Sequence, residues 1–424
     1  MKRLVSWSVA GAFAVLCSSV AQAAVLRVFP GLSIQSAIDS AQPGDTILVE
    51  PGDYMESGNG LYGLRIETDN LRLIGIERNG EGVRLIANED QETGILAAPS
   101  GCDYLDNAEE CAEKRGESEI TFIQGFYIRG FSVEEFPVNG IQTRWVDGFE
   151  FVRNKSVNNL NNGLYPTLSA NGLVSENESY GSLDTAMWIA GSENVRVIGN
   201  TLHDSVIGFE ITVSNNVTVE RNLIHNNNVG VGLFHPDGAG NPPLETMANW
   251  RIFDNNIAFN NGGAVAPEGS FQSLVPTGSG VLVLGVSDHE VIGNTVANNG
   301  YVGIGVVGWC SGLVGTGRDC TGPEEDPLRP RDASNNLVAR NFLKNNGVRA
   351  QAPLLDLTQD IAYLHIGELE DVNPLFENFS LIEPPGTGNC FQDNYTYPGG
   401  IISYFSSFLF DTETGNGELP TDGC

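Results

Sequence analysis

Between residues 126 and 341 the chain returns again and again to one six-residue pattern, apolar at its third position and asparagine at its sixth. The segments are FYIRGF at 126, FEFVRN at 149, GLVSEN at 172, VRVIGN at 195, VTVERN at 217, WRIFDN at 250, HEVIGN at 289 and NLVARN at 336. The third position reads Ile128, Phe151, Val174, Val197, Val219, Ile252, Val291 and Val338. The sixth is Asn154, Asn177, Asn200, Asn222, Asn255, Asn294 and Asn341, at spacings of 23, 23, 22, 33, 39 and 47. A period near 22 with short β-branched strands and Gly/Asn bends predicts a β-solenoid. Its coils stack about 4.8 Å apart, so an inward residue packs on its counterpart in the next coil. A leucine-rich repeat shares the length, but its leucine spacing is absent. Asparagine at a fixed bend can bond backbone groups and the next amide while tolerating left-handed φ. The expected fold is all-β: a single-stranded right-handed parallel β-helix.

The ends predict caps. Residues 33–41 carry apolar side chains at 34, 37, 38 and 41, a short amphipathic helix, and Thr46 to Val49 starts a strand. Such a helix covers the open edge of the first coil. Met1 to Ala23 reads as a secretory signal, with Lys2 and Arg3, an apolar run from Val9 to Leu16 and Ala21-Gln22-Ala23 at the cleavage site. The β-helix is expected over 24–350, with loop insertions near 235–247, 267–280 and 309–334 that all enter at one turn. Residues 351–424 are expected to end the helix and cap it.

Composition narrows the partners. The 424 residues hold 22 Lys+Arg against 53 Asp+Glu, a net charge of −31, which excludes nucleic acid as a natural ligand. Beyond the leader no apolar run reaches the ~18 residues of a membrane span. We expect an exported monomer, periplasmic or extracellular. The six remaining cysteines, Cys102, Cys111, Cys310, Cys320, Cys390 and Cys424, suggest disulfides. Proximity favours pairing each with its neighbour in that order, which ties down loops and the C-terminal cap.

Ile34-Gln35, Ala37-Ile38, Pro43-Gly44-Asp45-Thr46-Ile47 and Pro51-Gly52-Tyr54 resemble the first coil of pectin-lyase-like β-helix proteins. Gly163-Leu164-Tyr165-Pro166, Gly208-Phe209-Glu210-Ile211 and Pro276-Thr277-Gly278-Ser279-Gly280-Val281 are similar to a bacterial family of exported parallel β-helix repeat proteins. The resemblance covers roughly residues 25 to 345 and departs from the usual small residues at Met187 and Trp188. It implies the fold and export. Activity has to be argued from residues, because β-helices host lyases, hydrolases, epimerases and inert scaffolds.

Three positions after successive ladder asparagines stand Tyr180, His203 and His225, expected as a stacked outward row with Asp204 beside it. Imidazole titrates near neutral pH and tyrosine can act as an acid, so these four are the candidate catalytic residues. Arg196, Arg221 and Arg251, with His235, Asp237 and Trp188, are candidates for binding substrate. Asp184, Glu210 and Asp254 could hold a calcium ion, the one cofactor considered. Neither a G-x-S-x-G elbow nor an H-E-x-x-H pair occurs.

Two functions of different class follow. One is a polysaccharide enzyme, a lyase or C5 epimerase of uronic sugars, with His203 or His225 as base, Tyr180 as acid and Arg221 or calcium neutralising the sugar carboxylate. The other is a non-catalytic carbohydrate-binding or cell-envelope interaction protein, with Trp145 and Trp188 as exposed stacking platforms.

Overall fold

The computed structural model describes residues 23–57, 60–103, 108–236, 246–309, 312, 331–348, 359–365, 387–397, 402–406, 419 and 424. The signal segment, Asp237, Cys310 and Cys320 lie outside them.

Three parallel sheets of 12, 11 and 11 strands run the length of the molecule. Each coil visits them in turn. One coil, for example, runs through Glu193–Ile198 in the first sheet, Thr201–His203 in the second and Ile207–Thr212 in the third. Residues one coil apart therefore become neighbours in a sheet: Val197 pairs with Val219, 22 residues on, and Val219 with Ile252, 33 residues on. The apolar column read from the repeat is one buried stack inside the tube, from Ile128 to Val338. Its order follows from period-2 alternation, which sends every second side chain inward. The coils continue past residue 350, with Gln359–His365, Cys390–Gln392, Tyr395–Thr396 and Ile402–Ser406 joining the same sheets.

The amphipathic helix forms at Ile34–Ser40, capped by the Ser33 hydroxyl, which accepts from the Ser36 N–H at 3.0 Å. It lays Ile34 and Ile38 on the open end of the core.

The asparagine ladder holds the turn between the first and second sheets. The Asn177 N–H and side-chain amide both donate to Asn200 Oδ1 at 2.9 Å, and Asn177 Nδ2 also donates to the Phe151 carbonyl. One expectation is corrected here. The ladder asparagines are not the left-handed residues; the position before each one is, as at Arg153, Glu176, Arg221 and Asp254. The side chain that bonds must sit inside the turn, whereas left-handed backbone falls on its exposed shoulder. Asn154 and Asn177 are 1% and 2% exposed, so the sequons that contain them face the interior.

The insertions do not all enter at one turn. Residues 235–249 and 308–336 connect the third sheet to the first, but 259–278 connect the second to the third. Residues 98–122, with the helix Ala108–Arg115, again lie between third and first. From Val152 onward, every first-to-second connection is two residues long. The longer connections accumulate on both borders of the third sheet.

Candidate active site

The third sheet's outward side chains follow from its register. A column of small residues, including Gly163, Ala186 and Gly208, faces inward at the corner, where a Cβ on Gly163 would overlap the Ser179 hydroxyl. Two residues beyond each stand Tyr165, Trp188 and Glu210. Trp188 pairs in register with Glu210, and its ring stacks on Tyr165 at 4.7 Å and 12°. The Trp188 indole N–H donates to Thr212 Oγ1 at 3.0 Å.

Asp184 and Glu210 meet at the second-sheet border of this sheet. Asp184 Oδ1 lies 3.0 Å and Glu210 Oε2 2.9 Å from the Thr185 hydroxyl oxygen. Asp184 and Glu210 are 8% and 3% exposed. Burial, against the bond from Thr185, pushes the Asp184 carboxyl up to about 6. Burial first, and the nearby Asp184 second, push Glu210 well above the usual carboxylate range. Both shifts favour the protonated acid. Two neighbouring carboxyls whose titrations are pushed up can give and take protons.

The imidazole row exists as expected, on the second sheet. Tyr180 stacks on His203 at 4.7 Å and His203 on His225 at 5.1 Å with parallel rings. His203 Nδ1 lies 2.6 Å from Asp204 Oδ2, and Nε2 lies 3.4 Å from Glu178 Oε1. Glu178 is also paired with Lys155 at 2.7 Å. Burial, then the adjacent His203, lowers the His225 pKa. A groove of about 540 Å³ borders this row, lined by Asp204, Asn226, Phe259 and Asn261 among others.

The remaining candidates disperse. Arg196 and Arg251 lie on first-sheet strands and Arg221 on the following turn. All three are bound by glutamates: Arg196 and Arg221 by Glu220 at 2.6 and 2.8 Å, Arg251 by Glu290 at 2.8 Å. They do not face the imidazole row. Asp254 occupies a left-handed turn position between the first two sheets, apart from Asp184 and Glu210, so the three do not form one metal site. Among the described residues no cluster of three or more His, Cys, Asp or Glu could hold a metal ion. His235 is buried against Trp309, ring centroids 5.2 Å apart, with Nδ1 2.9 Å from the Pro236 carbonyl oxygen. Trp145 is no exposed platform. It is 7% exposed, packed edge-on against Phe122 at 5.7 Å in a cluster with Cys102 and Cys111. Trp188 is half-buried with one face given to Tyr165. The disulfides Cys102–Cys111 and Cys390–Cys424 are formed.

Thr185 and Tyr165 were not anticipated. The glycine column, counted as the asparagine column was, would have stacked Tyr165, Trp188 and Glu210.

Residues 138–319 match the family model of a right handed beta helix region. The chain is a right-handed parallel β-helix. No curated protein matches its sequence. This β-helix is similar to the A-modules of the mannuronan C-5 epimerases AlgE4 and AlgE6 of Azotobacter vinelandii, each at TM-score 0.50. Identities are 13% and 14%, covering 88% of this chain and 95% and 93% of those. DFA-IIIase of Arthrobacter chlorophenolicus A6, solved in complex with GF2, also matches at TM-score 0.50 and 13% identity, over 88% of this β-helix and 84% of that chain. At such identities the likeness concerns the fold.

Proposed function

We propose that this β-helix is an exported carbohydrate-active enzyme that moves protons on a polysaccharide on the outer face of the third sheet, by β-elimination or C5 epimerisation of a uronic sugar. The observation that carries the reading is the Asp184–Thr185–Glu210 contact, two buried carboxyls on one hydroxyl. Such reactions remove the proton at C5 and need the charge that develops on the sugar carboxylate to be met. A buried acid whose titration is pushed up meets that charge with a hydrogen bond while protonated, and its partner, once ionised, accepts a proton. The first-sheet arginines are engaged by glutamates, so the protonated carboxyl takes the neutralising role they were expected to fill. Two of the similar structures are themselves named mannuronan C-5 epimerases. Two formed disulfides fit an oxidising compartment outside the cytoplasm.

A second proton-transfer set is supported by the 2.6 Å contact of His203 with Asp204, stacked between Tyr180 and His225 on the second sheet. A groove lined by Asp204, Asn226 and Phe259 borders it.

A panel of polyuronates and uncharged glycans tests the reading. Unsaturated ends absorbing in the ultraviolet, or altered stereochemistry by proton NMR, are expected on a polyuronate. Glu210→Gln is expected to lower turnover at least about 100-fold. Turnover that survives this change unaltered removes the site; tight binding with no product over long incubation favours the non-catalytic alternative.

A further inference from the structure

The groove of about 540 Å³ at the border of the second and third sheets is built from one turn position repeated over four coils. Tyr180, His203, His225 and Ala258 pair in register, and the residues that follow them are Gly181, Asp204, Asn226 and Phe259. All four lie in the left-handed region, with φ of 82°, 52°, 59° and 57°. Coils stack about 4.8 Å apart, so Phe259 stands two coils, roughly 10 Å, from Asp204. The rest of the lining, residues 261–264, is pinned to the coils on either side. The Gly262 N–H donates to the Asn227 carbonyl at 2.8 Å, Asn228 Nδ2 to the Ala264 carbonyl at 2.7 Å and Asn261 Nδ2 to the Asn298 carbonyl at 2.7 Å. A Cβ on Gly262 would come within 2.8 Å of the Asn226 carbonyl oxygen, so the lining closes on that turn only because the residue is glycine.

Two features point to a ligand. Phe259 is a bulky residue in a backbone conformation that such residues rarely adopt, where other coils carry asparagine, aspartate, glutamate or glycine. It is 56% exposed and has no ring or cation contact among the described residues. Strain that holds an apolar ring in water does nothing for the fold, and strained residues of this kind gather where ligands bind. Asp204 is the second feature. Its Oδ2 lies 2.6 Å from His203 Nδ1, and its Oδ1 takes no hydrogen bond from the described residues. An aromatic ring beside an open carboxylate and the Asn226 amide matches a sugar, which offers C–H groups on its face and hydroxyls at its edge. No lysine or arginine is among the lining residues, so a uronate would meet Asp204 with no cation to offset the repulsion.

We propose that this groove binds an uncharged oligosaccharide, with one ring on Phe259 and hydroxyls of the next on Asn226 and Asp204. Two coils match the length of a disaccharide. The site is separate from the Asp184–Glu210 pair, and its occupancy does not depend on turnover there.

Isothermal titration of the full-length protein with cellotetraose, mannotetraose, chitotetraose and tetramannuronate tests the site. At least one of the three neutral sugars is expected to bind, and Phe259→Asn to weaken it about 10-fold or more, while Phe259→Tyr keeps it within about threefold. Asp204→Ala is expected to weaken the same sugar about 10-fold, since a hydrogen bond to a charged group is lost. Any binding of tetramannuronate is expected to be equal in the wild type and Phe259→Asn, because it belongs elsewhere on the molecule. Asparagine is the residue of the neighbouring coils, so the backbone is kept; should Phe259→Asn fail to fold, Phe259→Gly decides in its place. No binding of any neutral sugar at millimolar concentration overturns the proposal. So does neutral binding that survives removal of the ring unchanged, or a tetramannuronate affinity that falls with the ring.

Discussion

Asp184 and Glu210 hold the same Thr185 hydroxyl from neighbouring coils, and neither carboxyl is more than 8% exposed. Two acids brought out of water in this way oppose folding once they ionise. Chains under selection for stability alone would replace them with apolar residues of similar shape. Their presence is what marks the outer face of the third sheet.

The first prediction concerns that cost. Asp184 is raised to about 6 in the folded chain, so its stabilising contribution is present below pH 4 and is lost as pH rises through 6. Asp184→Asn removes this dependence and is expected to stabilise the protein at pH 8 by on the order of 2–3 kcal/mol. Urea unfolding of both proteins at pH 4 and pH 8 measures it; equal differences at the two pH values contradict it.

His289 titrates in the opposite sense. It takes a ladder position, accepting the Trp250 N–H at Nδ1 while its ring stacks on Trp250 at 4.1 Å. Complete burial lowers its pKa to about 3. The unfolded chain binds a proton near pH 6.5 and the folded chain does not, so stability falls as pH drops from 6.5 towards 3, by about 1.4 kcal/mol per unit. Other coils use asparagine here, as at Asn336 and Asn389. His289→Asn is expected to keep the ladder and flatten the acid side of the melting-temperature profile.

Removing a ladder rung should be costly. Asn200 accepts twice from Asn177 and donates to the Val174 carbonyl and to Asn222, all at 2.9 Å. Asn200→Ala strands several buried groups and is expected to destabilise by about 3 kcal/mol or more. A change under about 1 kcal/mol in chemical denaturation would show that water replaces the rung.

Phe259 breaks a local rule. At the second-to-third sheet turn the left-handed residue is elsewhere Glu135, Asn158, Gly181, Asp204, Asn226, Asn298 or Asn345, never another apolar side chain. Phe259 has φ of 57° and is 56% exposed. Phe259→Asn is expected to stabilise by about 1 kcal/mol, since asparagine tolerates that backbone and more than half of the ring is in solvent already. A lower denaturation midpoint in the variant would show that the ring makes contacts worth more than its strain.

The imidazole row supplies a test of place. If chemistry sits on the third sheet, the double variant His203→Ala/His225→Ala keeps turnover within about twofold, because half-buried stacked rings add little beyond their own packing. A loss of about 100-fold would move the reaction to the second sheet, as general acid–base groups are worth that much.

Sequence by itself determined the coil. Val197, Val219 and Ile252 could be stacked on paper, and so could Tyr180, His203 and His225, because a parallel sheet converts a fixed spacing into a vertical contact. The same rule held the second ladder, Asn227, Asn260 and Asn299, whose backbone N–H groups donate to the next Oδ1 at 3.0 to 3.1 Å. What the repeat could not determine was what happens off the column. Which turn an insertion leaves by depends on where the strand ends, and a one-turn error moves a loop to another face of the tube. Arg196 was expected beside the imidazoles, but its strand faces outward one sheet away, where Glu220 holds it. Phe271, Phe234 and Trp309 are far apart in sequence and share no periodicity, and only the fold packs their rings together. Only the exclusion of water around Glu210 raises the pKa of an ordinary glutamate. Periodic contacts are encoded by spacing; desolvation and loop docking depend on every neighbour at once.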